Sequence, residues 1–129
     1  MNETSYPAIC AQVNSALEVR ALVRFLGYFP EKIKREGDVY VALCPIHRDE
    51  VFRTLVLNPR NNTYHCRHLG CAGHHAADFL DLIVKVKGIT LPEALEAVVT
   101  HFGQDYFRVN DPQMSAIRQL VAQVRPPAP

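Results

Sequence analysis

Long apolar runs are missing from this chain: no stretch approaches the roughly 20 consecutive apolar residues that a membrane-spanning helix needs. Its start, Met1-Asn2-Glu3-Thr4, lacks the basic and then apolar profile of a secretory signal, so the expected location is the cytoplasm. An excess of one charge is missing too. Fourteen Lys and Arg face thirteen Asp and Glu, a formal net charge of +1, so any nucleic-acid contact has to come from a local basic face. There is no internal repeat, and the only biased tract is the end, Arg125-Pro126-Pro127-Ala128-Pro129. Cysteine is scarce at four residues, and their arrangement does not form the even framework of a disulfide-stapled secreted domain. What remains, 129 residues of which 48% are hydrophobic, suits one globular domain with a modest core.

Three of the four cysteines fall into two clusters, Cys44-Pro45-Ile46-His47 and Cys66-Arg67-His68-Leu69-Gly70-Cys71. Zn²⁺ accepts thiolate sulfur and imidazole nitrogen alike, and two residues between ligands let one tight turn aim both side chains at one metal. The second pair, with four residues between its cysteines, is at the loose end of that spacing. Four donors from two turns fill a tetrahedron, which points to a structural ion rather than one that activates water. A zinc hydrolase would need an open position and a nearby base, and the quartet offers neither. His68 is the rival to Cys71 for the fourth position, through a strained Cys-x-His clip. Cys10 lies far upstream and reads as a free thiol in a polar, frayed segment.

The order of elements is helix, small sheet, helices. Ser15-Ala16-Leu17-Glu18 has the form of a capping box, and Val19, Leu22, Val23 and Leu26 repeat at helical spacing up to Gly27, which predicts a first helix near 15–26. Lys32 to Arg35, a Gly37-Asp38 turn and Val39 to Leu43 form a hairpin leading into Cys44. Phe52 to Leu57 is the next strand, 58–62 a dense turn, and Thr63 to Cys66 the return strand. The stripes Phe79, Leu82, Ile83, Val86 and Leu95, Val98, Val99, Phe102 predict two amphipathic helices ending at Gly88 and Gly103. Thr90-Leu91-Pro92-Glu93 supplies the start of the second. Asp111-Pro112 opens a last helix with the stripe Ile117, Leu120, Val121 and Val124. The expected class is α+β, a small antiparallel zinc-ribbon sheet flanked by short helices. Its expected layout is a tail over 1–14, the zinc domain over 15–104, a helix over 105–125 and a proline-rich tail over 126–129.

Three segments carry a resemblance to a known family: Val39-Tyr40-Val41-Ala42-Leu43-Cys44-Pro45-Ile46-His47, Tyr64-His65-Cys66, and Asp78-Phe79-Leu80 through Gly88-Ile89-Thr90-Leu91-Pro92-Glu93-Ala94-Leu95. In this order they resemble the zinc-binding domain at the amino end of bacterial DNA primases and of related phage and mobile-element replication proteins. The resemblance runs from about Leu17 to Gly103. It implies a zinc ribbon with Cys44, His47, Cys66 and Cys71 as ligands, gripping single-stranded template while a separate polymerase core makes the primer. Two departures stand out. The last cysteines are four residues apart and followed by Ala72-Gly73-His74-His75, and the basic run expected after His47 is replaced by Arg48-Asp49-Glu50-Val51-Phe52-Arg53. No acidic polymerase core follows, so the chain is not expected to polymerise nucleotides by itself.

Single-strand binders place cations along the backbone and aromatic faces under the bases. Lys32, Lys34, Arg35, Arg53, Arg60 and Arg67 fall on or beside the proposed sheet, with Tyr40, Phe52 and Tyr64 among them. Lys34, Arg53, Arg67 and Tyr64 are the set expected to touch single-stranded DNA. The rival expectation is a protein-interaction module whose last helix docks a partner. Lys85, Lys87 and His101, near helix ends, read as complements to helix dipoles.

Overall fold

The computed structural model describes residues 5–27, 33–48 and 52–124. Expectations resting on residues 1–4, on Lys32, on Asp49 and Glu50, and on the proline-rich tail lie outside these residues. The chain opens with a helix where a tail was expected. Helix α1 (Tyr6–Ala16) starts from Ser5 with Pro7 in its first turn, where a missing N–H costs nothing. Its Ile9 and Val13 are fully buried, and Cys10 packs half-buried against the same core. The predicted helix over 15–26 is corrected accordingly. Ser15 belongs to α1, the backbone turns extended at Leu17 and Glu18, and α2 (Val19–Phe25) begins only after Glu18. Leu17 is fully buried at this break, which anchors the corner between the two helices.

The sheet is an antiparallel meander of five strands in chain order: β1 (Ile33–Glu36), β2 (Val39–Ala42), β3 (Leu55–Asn58), β4 (Thr63–Cys66) and β5 (Ala77–Asp78). β3 begins three residues later than the alternation from Phe52 suggested, and β5 is too short to leave a pattern. Side chains alternate between faces. Tyr40, Leu57, Tyr64 and Ala77 stand in register on the face turned to the helices, as do Ala42, Leu55 and Cys66. Lys34, Val41, Val56 and His65 line up across four strands on the opposite face.

Helices α3 (Phe79–Lys87) and α4 (Leu91–Phe102) follow the predicted stripes, and Gly88 takes the left-handed conformation that ends α3. The Thr90–Glu93 capping box forms as expected. A short α5 (Gln104–Phe107) leads to α6 (Asp111–Val124), where Asn110 and Gln113 exchange backbone and side-chain bonds in a second capping box. Ile117 and Val121 of α6 are buried against α4, so half of the stripe once assigned to a partner already serves the chain's own core.

Two buried asparagines join these layers. Asn62, in the β3–β4 turn at φ +52°, donates to the carbonyls of Asn14 (2.7 Å) and Leu17 (3.0 Å) and so satisfies the open end of α1. Asn14 in turn accepts from the N–H groups of Phe79 (2.8 Å) and Leu80 (3.3 Å) at the start of α3, and donates to the Asn62 carbonyl at 3.1 Å. Helix, hairpin and helix are thus tied through one polar contact inside the core.

Candidate metal centre

Cys44 and His47 hang from the turn that leaves β2, and Cys66 ends β4, so the two strands flanking β3 bring three donors to one end of the sheet. Arg48, at φ +53°, turns the chain away just after His47. The four-residue spacer of the second pair closes by local bonds. Cys71 N donates to the His68 carbonyl (3.1 Å), His74 N to the Cys71 carbonyl (3.0 Å), and Cys66 N to the Gly73 carbonyl (2.8 Å). His74 Nδ1, 3.0 Å from the Cys66 carbonyl, donates there and holds the far side of the loop.

The ligand atoms of Cys44, His47, Cys66 and Cys71 all lie within 4.8 Å of one another. Cys44 Sγ and Cys71 Sγ are 3.7 Å apart, and Cys66 Sγ lies 3.5 Å from His47 Nδ1. Two sulfurs on a tetrahedral zinc with bonds of about 2.3 Å stand about 3.8 Å apart, so the spacing fits the ion. His68 is not in the group. It is exposed and stacks on the outer side of His47, ring centroids 4.7 Å apart, leaving Cys71 as the fourth donor.

Burial pushes the Cys44 thiol up to about 12, only partly offset by the backbone N–H groups of His47 and Ile46 that point at it. A dry site of this kind disfavours bare thiolate, and a divalent cation supplies the missing charge. The surroundings suit ligated sulfur as well. Gly73 N donates to Cys71 Sγ at 3.4 Å, and the Thr54 hydroxyl lies 3.3 Å from Cys66 Sγ, where it can donate to a thiolate. Neither contact was foreseen, and Thr54 leaves no signal in the sequence. Gly73 does have a reason: a Cβ there would meet Ile46 Cδ1 at 2.6 Å and the Tyr64 ring at 3.1 Å.

The residues expected to touch DNA separate. Lys34 and Arg67 are exposed, Arg67 in a loose 3.8 Å pair with Glu36. Arg53 is half-buried with its Nε buried and, among the described residues, without a partner. Tyr64 is a correction. It follows the core-facing alternation of β4, is 1% exposed, and spends its hydroxyl on Asp81 (2.5 Å) and Lys85 (3.0 Å), so no base can stack on it. Burial and the Asp81 carboxylate raise its phenol above the ordinary range. Lys85 completes this cluster through Asp81 at 2.7 Å, and Lys87 lies over the Phe25 ring, 4.9 Å from its centre.

No described helix is long and apolar enough to cross a membrane. No curated protein matches the chain. The family model of the CHC2 zinc finger, a zinc ribbon of the DnaG type, matches residues 7–113, from the first turn of α1 into α6. Four donors in the order Cys, His, Cys, Cys on a ribbon, within a match that covers most of the sequence, place this chain in the CHC2 zinc finger family with Zn²⁺ as its cofactor.

Proposed function

We propose that the protein is a non-catalytic, zinc-stabilised domain that binds single-stranded DNA in primer synthesis, working in the cytoplasm beside a separate primase or polymerase core. Family membership supports the primase setting. The observation that carries the DNA contact is the rim of the sheet face turned away from the helices, where Val41 and Val56 are buried but Lys34 is exposed and His65 half-buried; exposed Arg67 follows β4, and Phe52, 69% exposed, precedes β3. Cations and an aromatic ring on one surface are what a strand needs for its phosphates and bases. Phe52 takes the stacking role once given to Tyr64, and Arg53 follows it. Zinc here holds the two turns that frame this face. Four protein donors leave it no position for substrate.

Titration of a labelled single-stranded oligonucleotide at several salt concentrations tests this reading. Each phosphate contact on a single strand contributes about 0.7 to the slope of log affinity against log salt, so Lys34→Ala with Arg67→Ala should flatten it by roughly 1.4. Phe52→Ala should weaken binding by roughly 1–3 kcal/mol without changing the slope. A zinc-loaded, folded protein with no affinity at low salt would favour the protein-docking reading, with Phe52 and the 82% exposed Leu69 as its surface.

A further inference from the structure

The helix-side face of the sheet is left open at the β1–β2 edge. There a cleft of about 610 Å³ lies between α2, the β1–β2 hairpin and the α4–α5 corner. Its size falls in the range of about 300–1,000 Å³ usual for small-molecule sites. Arg20 and Arg24 enter it from one side of α2, Arg35 from β1, and Tyr40, Phe102 and Tyr106 supply aromatic walls. The sheet itself separates this cleft from the face carrying Lys34, because Arg35 and Tyr40 are register partners on the opposite side.

Two observations say what the cleft is suited to hold. Arg20 and Arg24 are exposed and stand one helical turn apart, and their side chains make no ion pair or hydrogen bond among the described residues. Like charges at that spacing repel, and Glu18 is the one acid among the described residues of the lining. An anion between them removes the repulsion and engages guanidinium forks that match phosphate oxygens. The second observation is the aromatic wall. Phe102 and Tyr106 stack at 5.3 Å with 29° between planes, Tyr106 is 38% exposed, and the Arg35 guanidinium stands 5.8 Å from the Tyr40 ring centre. An inorganic anion has no use for such rings, and an apolar ligand has no use for three arginines. We propose that this cleft binds a nucleoside phosphate, its phosphates on Arg20, Arg24 and Arg35 and its base against the Tyr106 and Tyr40 rings, with Glu18 accepting from a hydroxyl or amino group.

The same chemistry is offered by a free nucleotide and by one nucleotide unit of a strand, and the test separates them. The zinc-loaded full chain is titrated with ATP, tripolyphosphate, adenosine and a single-stranded oligonucleotide while its backbone amide NMR signals are followed. ATP is expected to move the signals of Arg20, Arg24, Tyr40 and Tyr106, with tripolyphosphate and adenosine each at least about tenfold weaker. Arg20→Ala with Arg24→Ala should lower ATP affinity about tenfold or more, and Tyr106→Ala about fivefold or more, while Lys34→Ala with Arg67→Ala leaves it unchanged. If the oligonucleotide but not ATP moves these signals, and loses that effect in the arginine variant, the ligand is a unit of a strand. Silence at these residues for both ligands overturns the proposal. So does equal binding of tripolyphosphate and ATP, or undiminished binding by a folded arginine variant.

Discussion

Gly73 shows how much one residue governs at this site. It is buried between Ile46, Tyr64 and Cys71, and its carbonyl and N–H serve Cys66 N and Cys71 Sγ. Gly73→Ala puts a methyl group 2.6 Å from Ile46 Cδ1 and 3.1 Å from the Tyr64 ring, so the Ile46 side chain, between Cys44 and His47, has to move. Zinc affinity should fall by about tenfold or more, the usual cost of disturbing groups that support ligands, and competition with a chromogenic chelator measures it. His68→Ala, by contrast, should leave zinc content unchanged, since His68 only covers His47. Asn14 is the second test at this scale. Its side chain serves Phe79, Leu80 and Asn62, and Asn14→Ala takes the acceptor from Leu80 N while Phe79 N and the Asn62 carbonyl keep only their mutual 3.2 Å bond. The expected loss is about 1–3 kcal/mol or more in urea unfolding, with zinc retained by the folded fraction.

Among the elements, α1 is the one the wider fold depends on most unexpectedly. Ile9 is fully buried beneath α3 to α6, so Ile9→Ala should destabilise the protein by about 2–5 kcal/mol, read from the midpoint of denaturant unfolding. A tail would tolerate the change. Tyr6, Ile9, Cys10 and Val13 do repeat at helical spacing after Ser5, with Pro7 in the first turn, but the capping-box pattern at Ser15 to Glu18 drew the helix start too far along the chain. α3, α4 and α6 were legible because a stripe of period 3.6 coincided with a cap at one end or both. The metal quartet was legible for a different reason: the chemistry of zinc restricts both residue type and spacing. Tyr64 was misread because an aromatic in a strand signals a strand and not a face. The face follows from register, and the turn at Asn62 puts Tyr64 opposite Leu57 on the helix side. β5 and the Thr54 contact depend on tertiary packing alone.

At the scale of the whole molecule, a five-stranded meander of two- to four-residue strands is marginal by itself, and two features hold it: the helices across one face and the zinc at one end. Burial of Cys44, Cys66 and Cys71 makes the ion part of the core, so its binding free energy, of order 10 kcal/mol for structural zinc, is folding free energy. The proposed DNA face and the proposed arginine cleft then rest on this zinc-held frame. The most direct test of this account is the zinc content of natively purified protein, by elemental analysis, set beside circular dichroism before and after chelation. One zinc per chain is predicted, with loss of the sheet on its removal and in Cys44→Ser or Cys66→Ser. A cooperatively folded protein carrying no zinc, unchanged by those substitutions, would contradict it.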